Sequence, residues 1–374
     1  MRVAVFLTYN NSLKTWLESG TIDRELKLFE ELSKNYGYKF LFVTYGNIDD
    51  NQLIKKYKNF EVLPLNSVFS FSSNKYFNFL KSLLFPLKIR SYLNDIDILY
   101  QNQLKGAWVT LVCKLLIKKP LVVRTGYDLY KFSIHENKKS YKLYFYKLLT
   151  NLSLKYSDKY TVTSKTENLF IKKNYKFDSK KLVTIPNWIY EGELNNDKRN
   201  KKSILSVGRF VHQKNFEQLI FELEGIDGDY NIDLIGDGGN KEKLKNLADD
   251  LNIKINFLGK LKNDQLQALY KNYQFYITTA LFEGNPKTVL EAMSNGCVVI
   301  ASDIPNHREL IEDDKNGFLI DLKKPNILNL LNKINNDSKK IFEIQSNAIN
   351  SVNKENSLNS VVEKYNNLFL EIIS

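Results

Sequence analysis

Short apolar runs alternate with longer segments of helical period along nearly the whole chain of 374 residues. In the first half, the apolar runs at 2–8, 39–45, 61–65, 97–101, 120–125, 159–163 and 182–186 read as strands. Segments of period 3.6 stand between most of them, as at 22–36 (IDRELKLFEELSKNY) and 105–118. Strand–helix alternation of this kind predicts a parallel sheet covered by helices on both faces. The periodicity lapses over 189–203 (IYEGELNNDKRNKKS) and then resumes. Strands are predicted at 203–208, 230–235, 253–258, 274–279, 297–301 and 317–320. Helices are predicted at 215–224, 240–251, 264–272, 286–295 and 325–335, with one or two more in the tail 339–373. The pattern therefore predicts an α/β protein of two Rossmann-like, doubly wound domains with a cleft between them. Its expected segments are 1–190, a linker at 191–203, a second domain at 204–350 and a final helix in 351–374.

Composition adds one asymmetry. Hydrophobic residues make up 43% and charged residues 26%, a globular balance, and the formal net charge is +12. Residues 1–190 carry 31 Lys and Arg against 15 Asp and Glu, while residues 191–374 carry 23 against 27. A basic half beside a mildly acidic one points to contact with something anionic: nucleic acid, an acidic membrane surface or a phosphorylated substrate. No uncharged apolar run approaches the roughly 18 residues a spanning helix needs. The start, Arg2-Val-Ala-Val-Phe-Leu7, reads as a strand rather than a signal peptide. Cys113 and Cys297 lie far apart in apolar runs and read as reduced core residues, and the three histidines lack metal-ligand spacing.

In doubly wound sheets, ligands bind at loops following the carboxyl ends of strands. That rule selects Thr8–Ile22, Arg124–Phe132, Gly208–Asn215, Gly236–Asn240, Gly259–Leu261 and Phe282–Thr288. Arg209 and Lys214 follow a strand and precede a helix, a placement suited to holding two phosphoryl groups. Gly236 opens a glycine turn, Gly-Asp-Gly-Gly, that lets a backbone approach a ligand closely. In EGNPKTVLE, Glu283 follows a strand and Pro286 fits the first turn of a helix. Asn285, Lys287 and Thr288 then present helix N-terminal N–H groups, a ready phosphate site. Eight helical positions cover about 12 Å of axis. Carboxyl pairs acting on one glycosidic bond stand about 5–9.5 Å apart. The spacing therefore favours Glu283 and Glu291 as two contacts on one elongated ligand.

These motifs resemble retaining glycosyltransferase family 4, of the GT-B fold. Its signature of two glutamates separated by seven residues stands here as EGNPKTVLEAMSNG, followed by CVVIASDIPNHREL and DDKNGFLID. GRFVHQKN and GDGGNKEKL match its earlier elements in order and spacing across 204–321. In the first half the likeness is looser: Gly20 in the loop before Arg24-Glu25, Ser164 within TVTSKTENLF, and Asn187 within VTIPNWI. The resemblance implies that Arg209 and Lys214 contact the diphosphate of a nucleotide-sugar donor, UDP- or GDP-linked. It implies Glu291 at the ribose, Glu283 at the transferred sugar, and the backbone of Asn285, Pro286, Lys287 and Thr288 at sugar hydroxyls and phosphate. Lys260 and Leu261 would flank the base, and Gly20 would let the first-domain loop approach the donor. The last helix would pack back on the first domain. One departure stands out. Many members carry a His in the loop after the fifth strand, where this chain reads Arg124-Thr-Gly-Tyr-Asp-Leu-Tyr130. Tyr127 and Asp128 are the candidates there, Tyr127 for a sugar hydroxyl and Asp128 as a base or an acceptor-hydroxyl ligand.

The reaction so implied moves a sugar to a hydroxyl with retention of configuration and with no metal or other cofactor. The acceptor would be a glycan or lipid-linked precursor of a surface polysaccharide. Segments 75–92 and 141–149 mix cations with large apolar side chains, as interfacial helices do. A cytoplasmic protein, peripheral on the inner face of the membrane, is the corresponding expectation. Two other readings compete: a non-hydrolysing nucleotide-sugar 2-epimerase, and a nucleic-acid-binding protein using the basic half. Scattered cations without a recognition motif speak against nucleic acid.

Overall fold

The computed structural model describes residues 1–69, 72, 74–194 and 199–374. The chain divides into two compact units, Met1–Ile185 with Val362–Ser374, and Pro186–Val361. The first holds β1 (Arg2–Phe6), β2 (Lys39–Thr44), β3 (Phe60–Pro64), β4 (Ile98–Gln101), β5 (Leu121–Arg124), β6 (Lys159–Val162) and β7 (Leu182–Thr184). Its sheet order is β3-β2-β1-β4-β5-β6-β7, parallel throughout. The second holds β8 (Asn200–Val207), β9 (Asn231–Ile235), β10 (Asn256–Gly259), β11 (Tyr273–Thr278), β12 (Val298–Ser302) and β13 (Phe318–Ile320). Its order, β10-β9-β8-β11-β12-β13, is again parallel. Both units are thus doubly wound. Each reverses direction where its first strand meets its fourth, β1 beside β4 and β8 beside β11.

Burial on two faces explains why these strands read as continuous apolar runs rather than alternating ones. In the second unit, Ile204, Phe275, Ile277, Val298 and Ile300 enter one core layer. Their neighbours Leu205, Tyr276, Val299 and Ala301 enter the layer on the other face. In the first unit, Val3, Ala4 and Val5 of β1 are all fully buried. One face is strongly aromatic: Phe29 meets Phe40, Phe42 and Tyr100 at ring-centroid distances of 5.1, 5.4 and 6.0 Å. Helix Leu358–Ile373 adds Tyr365 and Phe369 to this layer, each 6.0 Å from Tyr100. Asn366 of that helix accepts from the Tyr38 hydroxyl at 2.9 Å.

The polar stretch 191–203 is only partly what its composition suggests, and its residues 195–198 lie outside the described residues. Strand β8 begins inside it, at Asn200. Arg199 is buried, and its guanidinium donates to the carbonyl oxygens of Tyr273, Asn295 (2.7 Å) and Tyr270 (3.4 Å). Gly192 packs so closely on Ser294 that a Cβ there would lie 1.7 Å from its carbonyl oxygen. A run without hydrophobic period can still be pinned to the fold when its cations satisfy buried carbonyls.

Removing the Arg199 guanidinium takes away a buried donor shared by these carbonyls, of which Tyr270 O keeps the Cys297 thiol at 3.2 Å. Arg199→Ala is expected to cost about 3 kcal/mol, lowering the melting temperature by roughly 5–10 °C in a calorimetric scan. A shift inside experimental error would show that the buried donor contributes nothing.

Candidate functional site

In the second unit, the carboxyl ends of β8 and β11 stand side by side at the reversal of strand order. The loop after β8 runs Gly208–Asn215, and the loop after β11 runs Thr279–Pro286. The two are clamped together. Leu281 N–H donates to Gln213 O at 2.9 Å, Gln213 Nε2 donates to Phe282 O at 2.9 Å, and Thr279 Oγ1 donates to Asn215 O at 2.8 Å. Lys214 Nζ forms an ion pair with Glu283 Oε1, both side chains being mostly enclosed. Arg209 is exposed, with Nη2 3.4 Å from Gln213 Oε1.

The third wall comes from the end of β12. Ser302 Oγ donates to Ala280 O at 2.5 Å, and Asn306 Nδ2 donates to Gly284 O. From the other side, Asn187 Nδ2 donates to Asn285 O at 2.9 Å. The carbonyls of Ala280, Phe282, Gly284 and Asn285 are therefore all turned outward onto side chains from separate elements. Among the described residues, the backbone N–H groups of Glu283, Gly284 and Asn285 have no acceptor. Helix Lys287–Ser294 starts immediately afterwards, with Pro286 as its N-cap residue at φ −73° and ψ 97°. Pro286 thus precedes the helix rather than occupying its first turn, and Glu283 lies in extended loop. The 12 Å helical separation expected between Glu283 and Glu291 consequently does not apply to the whole interval.

Glu291 sits on the buried side of that helix. Tyr270 OH donates to its Oε2 at 3.3 Å, and Asn263 Nδ2 lies 3.5 Å from Oε1. Burial drives the Tyr270 hydroxyl well above the ordinary phenol range, with the Glu291 charge adding to the shift. That phenol stays protonated and holds the carboxylate in place. Thr288 and Lys287 are half-buried on the first turn. Gly236 has φ +149°, and a Cβ there would lie 1.8 Å from Gly208 O, so only glycine lets these two strand-end loops touch. Leu261 packs beside the core, whereas Lys260 is exposed with Asp237 at 4.0 Å.

Among sequence candidates in the first unit, Asp128 requires correction. Neither base nor acceptor ligand suits a carboxylate with no exposed surface. It caps helix Leu129–His135, accepting from Lys131 N at 2.7 Å, Tyr175 OH at 3.1 Å and Thr150 Oγ1 at 3.2 Å. Burial raises its pKa, with those donors opposing the shift. Tyr127 remains 39% exposed, its ring stacked on Phe132 at 3.9 Å. Gly20 follows helix Leu13–Glu18 with φ +69°, a tight left-handed turn. Asp-x-Asp triplets, a pattern used for metals in other sugar transferases, occur at 95–97 and 227–229. They pair instead with Arg2 and with Lys202 (2.7 and 3.1 Å). Among the described residues, no three His, Cys, Asp or Glu gather as a metal site.

Sequence reasoning missed Gln213, Ser302 and Asn306, which hold the loop, and His307, which bonds Ser302. All lie at or just after strand ends. Applying the strand-end rule to the loop after β12 as well would have flagged the last three. His307 is fully buried. Its Nδ1 lies 2.7 Å from Ser302 O, so Nδ1 carries the proton, and Nε2 has no partner among the described residues. Burial lowers its pKa below the ordinary imidazole value, Glu283 opposing and Lys214 reinforcing the shift.

Comparison with known proteins adds identity to this geometry. Residues 193–351 match the family described as Glycosyl transferases group 1. A poly(ribitol-phosphate) alpha-N-acetylglucosaminyltransferase of Staphylococcus aureus is 28% identical over 199 residues, covering 52% of this chain and 40% of that protein. An uncharacterized glycosyltransferase of Methanocaldococcus jannaschii is 25% identical over 368 residues, 90% of this chain and 88% of that one. Several of the first curated relatives are spanned over less than two thirds of their own length. Among solved structures, Anabaena HepE in complex with UDP and glucose superposes with a TM-score of 0.77 at 17% identity, covering 99% of this chain and all of that one. Sucrose-phosphate synthase of Thermosynechococcus elongatus gives 0.79 at 15% identity over 100% and 99%. The fold is GT-B, with two Rossmann-like units, and the matches support a glycosyltransferase.

The buried imidazole makes stability pH-dependent with a definite sign. Its folded pKa lies below the unfolded value of about 6.5, so the unfolded chain takes the proton first as pH falls. Its contribution is complete above about pH 6.5 and is lost as pH falls through the folded value. Urea titrations across this range should show a steeper acid decline for the native chain than for His307→Asn, which keeps a donor to Ser302 but does not titrate. Equal slopes would exclude His307 as the source.

Proposed function

We propose that the protein is a retaining, metal-independent glycosyltransferase that moves a sugar from a UDP- or GDP-linked donor to a hydroxyl acceptor on a lipid-linked or other surface-glycan precursor. One observation carries the reading. In the loop Thr279–Pro286, Gln213 and Asn306 hold the Phe282 and Gly284 carbonyls, so that the N–H groups of Glu283 and Asn285 are offered on the other side, beside Lys214, Glu283 and a helix N-terminus. A diphosphate bearing a sugar complements that set: anion to the cations and helix end, hydroxyls to the carboxylate. Two solved neighbours, HepE and TarM, are described in complexes containing UDP. A Campylobacter jejuni relative, 25% identical over 56% of each chain, is named as acting on an undecaprenol-linked glycan. Nothing in the comparisons supports the epimerase or the nucleic-acid reading.

The chemistry follows from where charge develops. As the anomeric carbon–oxygen bond breaks, negative charge grows on the leaving diphosphate. Arg209, Lys214 and the start of helix Lys287–Ser294 stabilise it, and such prearranged donors contribute a few kcal/mol each. Without donor, Lys214 neutralises Glu283; with a diphosphate present, the ammonium has a second anion to share. Glu283 then accepts a sugar hydroxyl and orients the ring, and Glu291, braced by Tyr270, takes ribose hydroxyls. Attack from the face of the departing phosphate, with that phosphate accepting the proton, gives retention. Tyr127, exposed in the first unit, is available to an acceptor. Helices Lys75–Ser82 and Ser140–Tyr156 expose Tyr76, Leu80, Tyr141 and Tyr144 among lysines, which suits an anionic membrane surface. No helix among the described residues is long and apolar enough to cross a membrane.

In a thermal-shift screen, the matching nucleotide sugar at 100 times its Kd is expected to stabilise by about 2.7 kcal/mol. Lys214→Ala and Glu283→Gln should each lower transfer by about two orders of magnitude or more, and NMR of the first product should show the donor's anomeric configuration. An inverted product, or a covalent glycosyl–Glu283 adduct by mass spectrometry, would overturn the same-face mechanism. Vesicles containing phosphatidylglycerol should retain the protein at low salt and release it as salt rises. Indifference to such vesicles would remove the membrane contact.

A further inference from the structure

The side chain of Asn285 carries information that the backbone argument leaves unused. Asn187 N–H donates to Asn285 Oδ1 at 3.2 Å, and Asn187 Nδ2 donates to Asn285 O at 2.9 Å. A main-chain N–H can only donate, so the atom facing it must be the carboxamide oxygen. That contact decides the flip state of the Asn285 amide. Its NH2 group is consequently turned away from Asn187, and among the described residues nothing accepts from it. Asn187 is itself held: Asn356 Nδ2 donates to Asn187 O at 2.9 Å, and Ile189 N–H donates to Asn356 O at 2.8 Å.

Two residues earlier on the same loop stands Glu283, an acceptor. A phosphate is already served by Arg209, Lys214 and the helix start, and a neutral amide adjoining a carboxylate suits hydroxyl groups better than an anion. An acceptor at Glu283 and a donor at Asn285 complement a pair of sugar hydroxyls, each of which can both give and take a hydrogen bond. We propose that Asn285 Nδ2 donates to an oxygen of the transferred sugar and helps select that sugar, and that Asn187 is a positioning residue that fixes the amide in this orientation. The inference rests on the donor-site reading above and deepens it.

The test separates sugar from nucleotide. Binding of UDP and UDP-glucose, and of GDP and GDP-mannose, is measured by calorimetry for the native chain and variants, with the pair that binds the native chain carried forward. Asn285→Ala should weaken the nucleotide sugar about 3- to 10-fold, the loss of one neutral hydrogen bond, and change the nucleoside diphosphate less than about 2-fold. Asn187→Ala, which keeps the main-chain donor but loses the brace on Asn285 O, should give a smaller loss of the same selective kind. The double variant should lose no more selectivity than Asn285→Ala alone, because the two residues act through one contact. Melting curves establish that each variant is folded. Equal losses for sugar nucleotide and nucleotide would assign Asn285 to the diphosphate and overturn the proposal, as would no loss for either. A native chain that binds none of the four ligands would sink the transferase reading first, and this inference with it.

Discussion

The functional end of the second unit depends on a constraint of backbone hydrogen bonding. The chain between Thr278 and Lys287 leaves a parallel strand and enters a helix without regular structure of its own. Its carbonyls would be orphaned in a mostly buried loop unless something donated to them. Four side chains supply the donors: Ser302, Gln213, Asn306 and Asn187. Because each peptide is planar, fixing the Phe282 and Gly284 carbonyls outward turns the N–H groups of Glu283 and Asn285 the opposite way, whereas the Ala280 unit's N–H, on Leu281, is taken by Gln213 O and the Asn285 unit ends on Pro286, which has none. Pre-set N–H groups then come at no reorganisation cost when a ligand enters, the condition under which electrostatic stabilisation is most effective.

This arrangement also accounts for the ion pair at its centre. A carboxylate and an ammonium held in an enclosed site without ligand neutralise each other, and neither bears the full desolvation penalty of an isolated charge. Lys214 and Glu283 hold this relation in the structure. The buried Tyr270 plays a comparable part for Glu291, as a neutral donor whose pKa is too high for it ever to become a competing anion near pH 7. The His307 ring is neutral for the same reason, since burial disfavours its charged form too.

Much of this was legible from sequence, for a physical reason. Strands buried on both faces must be apolar runs, so the strands among the described residues appeared as such, with ends displaced by a residue or a few, the half-exposed edge strand β10 included. Loops after strands bind ligands in doubly wound sheets, a rule that selects Arg209, Lys214 and Glu283 as candidates from sequence alone. What escaped notice was side-chain-to-backbone bonding over long sequence distance. Nothing local distinguishes Gln213 or Asn306 from a surface amide, because their partners lie 69 and 22 residues away. Asp128 misled for the same reason: its capping role depends on Thr150 and Tyr175, which the sequence near it does not announce. Arg199 was hidden by the polar composition around it, since the carbonyls it satisfies belong to distant turns.

The chain's last residues, Val362–Ser374, belong to the same compact unit as its first. The first unit is therefore discontinuous, and the second is in effect inserted into it. Synthesis proceeds from the N-terminus, so the sheet β1–β7 emerges long before the helix that brings Tyr365 and Phe369 against Tyr100. The second unit, uninterrupted in sequence from Pro186 to Val361, has all its strands available earlier than the first has its final helix. A domain that must wait for its closing element keeps an apolar aromatic face uncovered in the meantime, the situation in which nascent chains aggregate or recruit chaperones. Removing Val362–Ser374 would make that waiting state permanent, leaving the second unit whole and its companion incomplete.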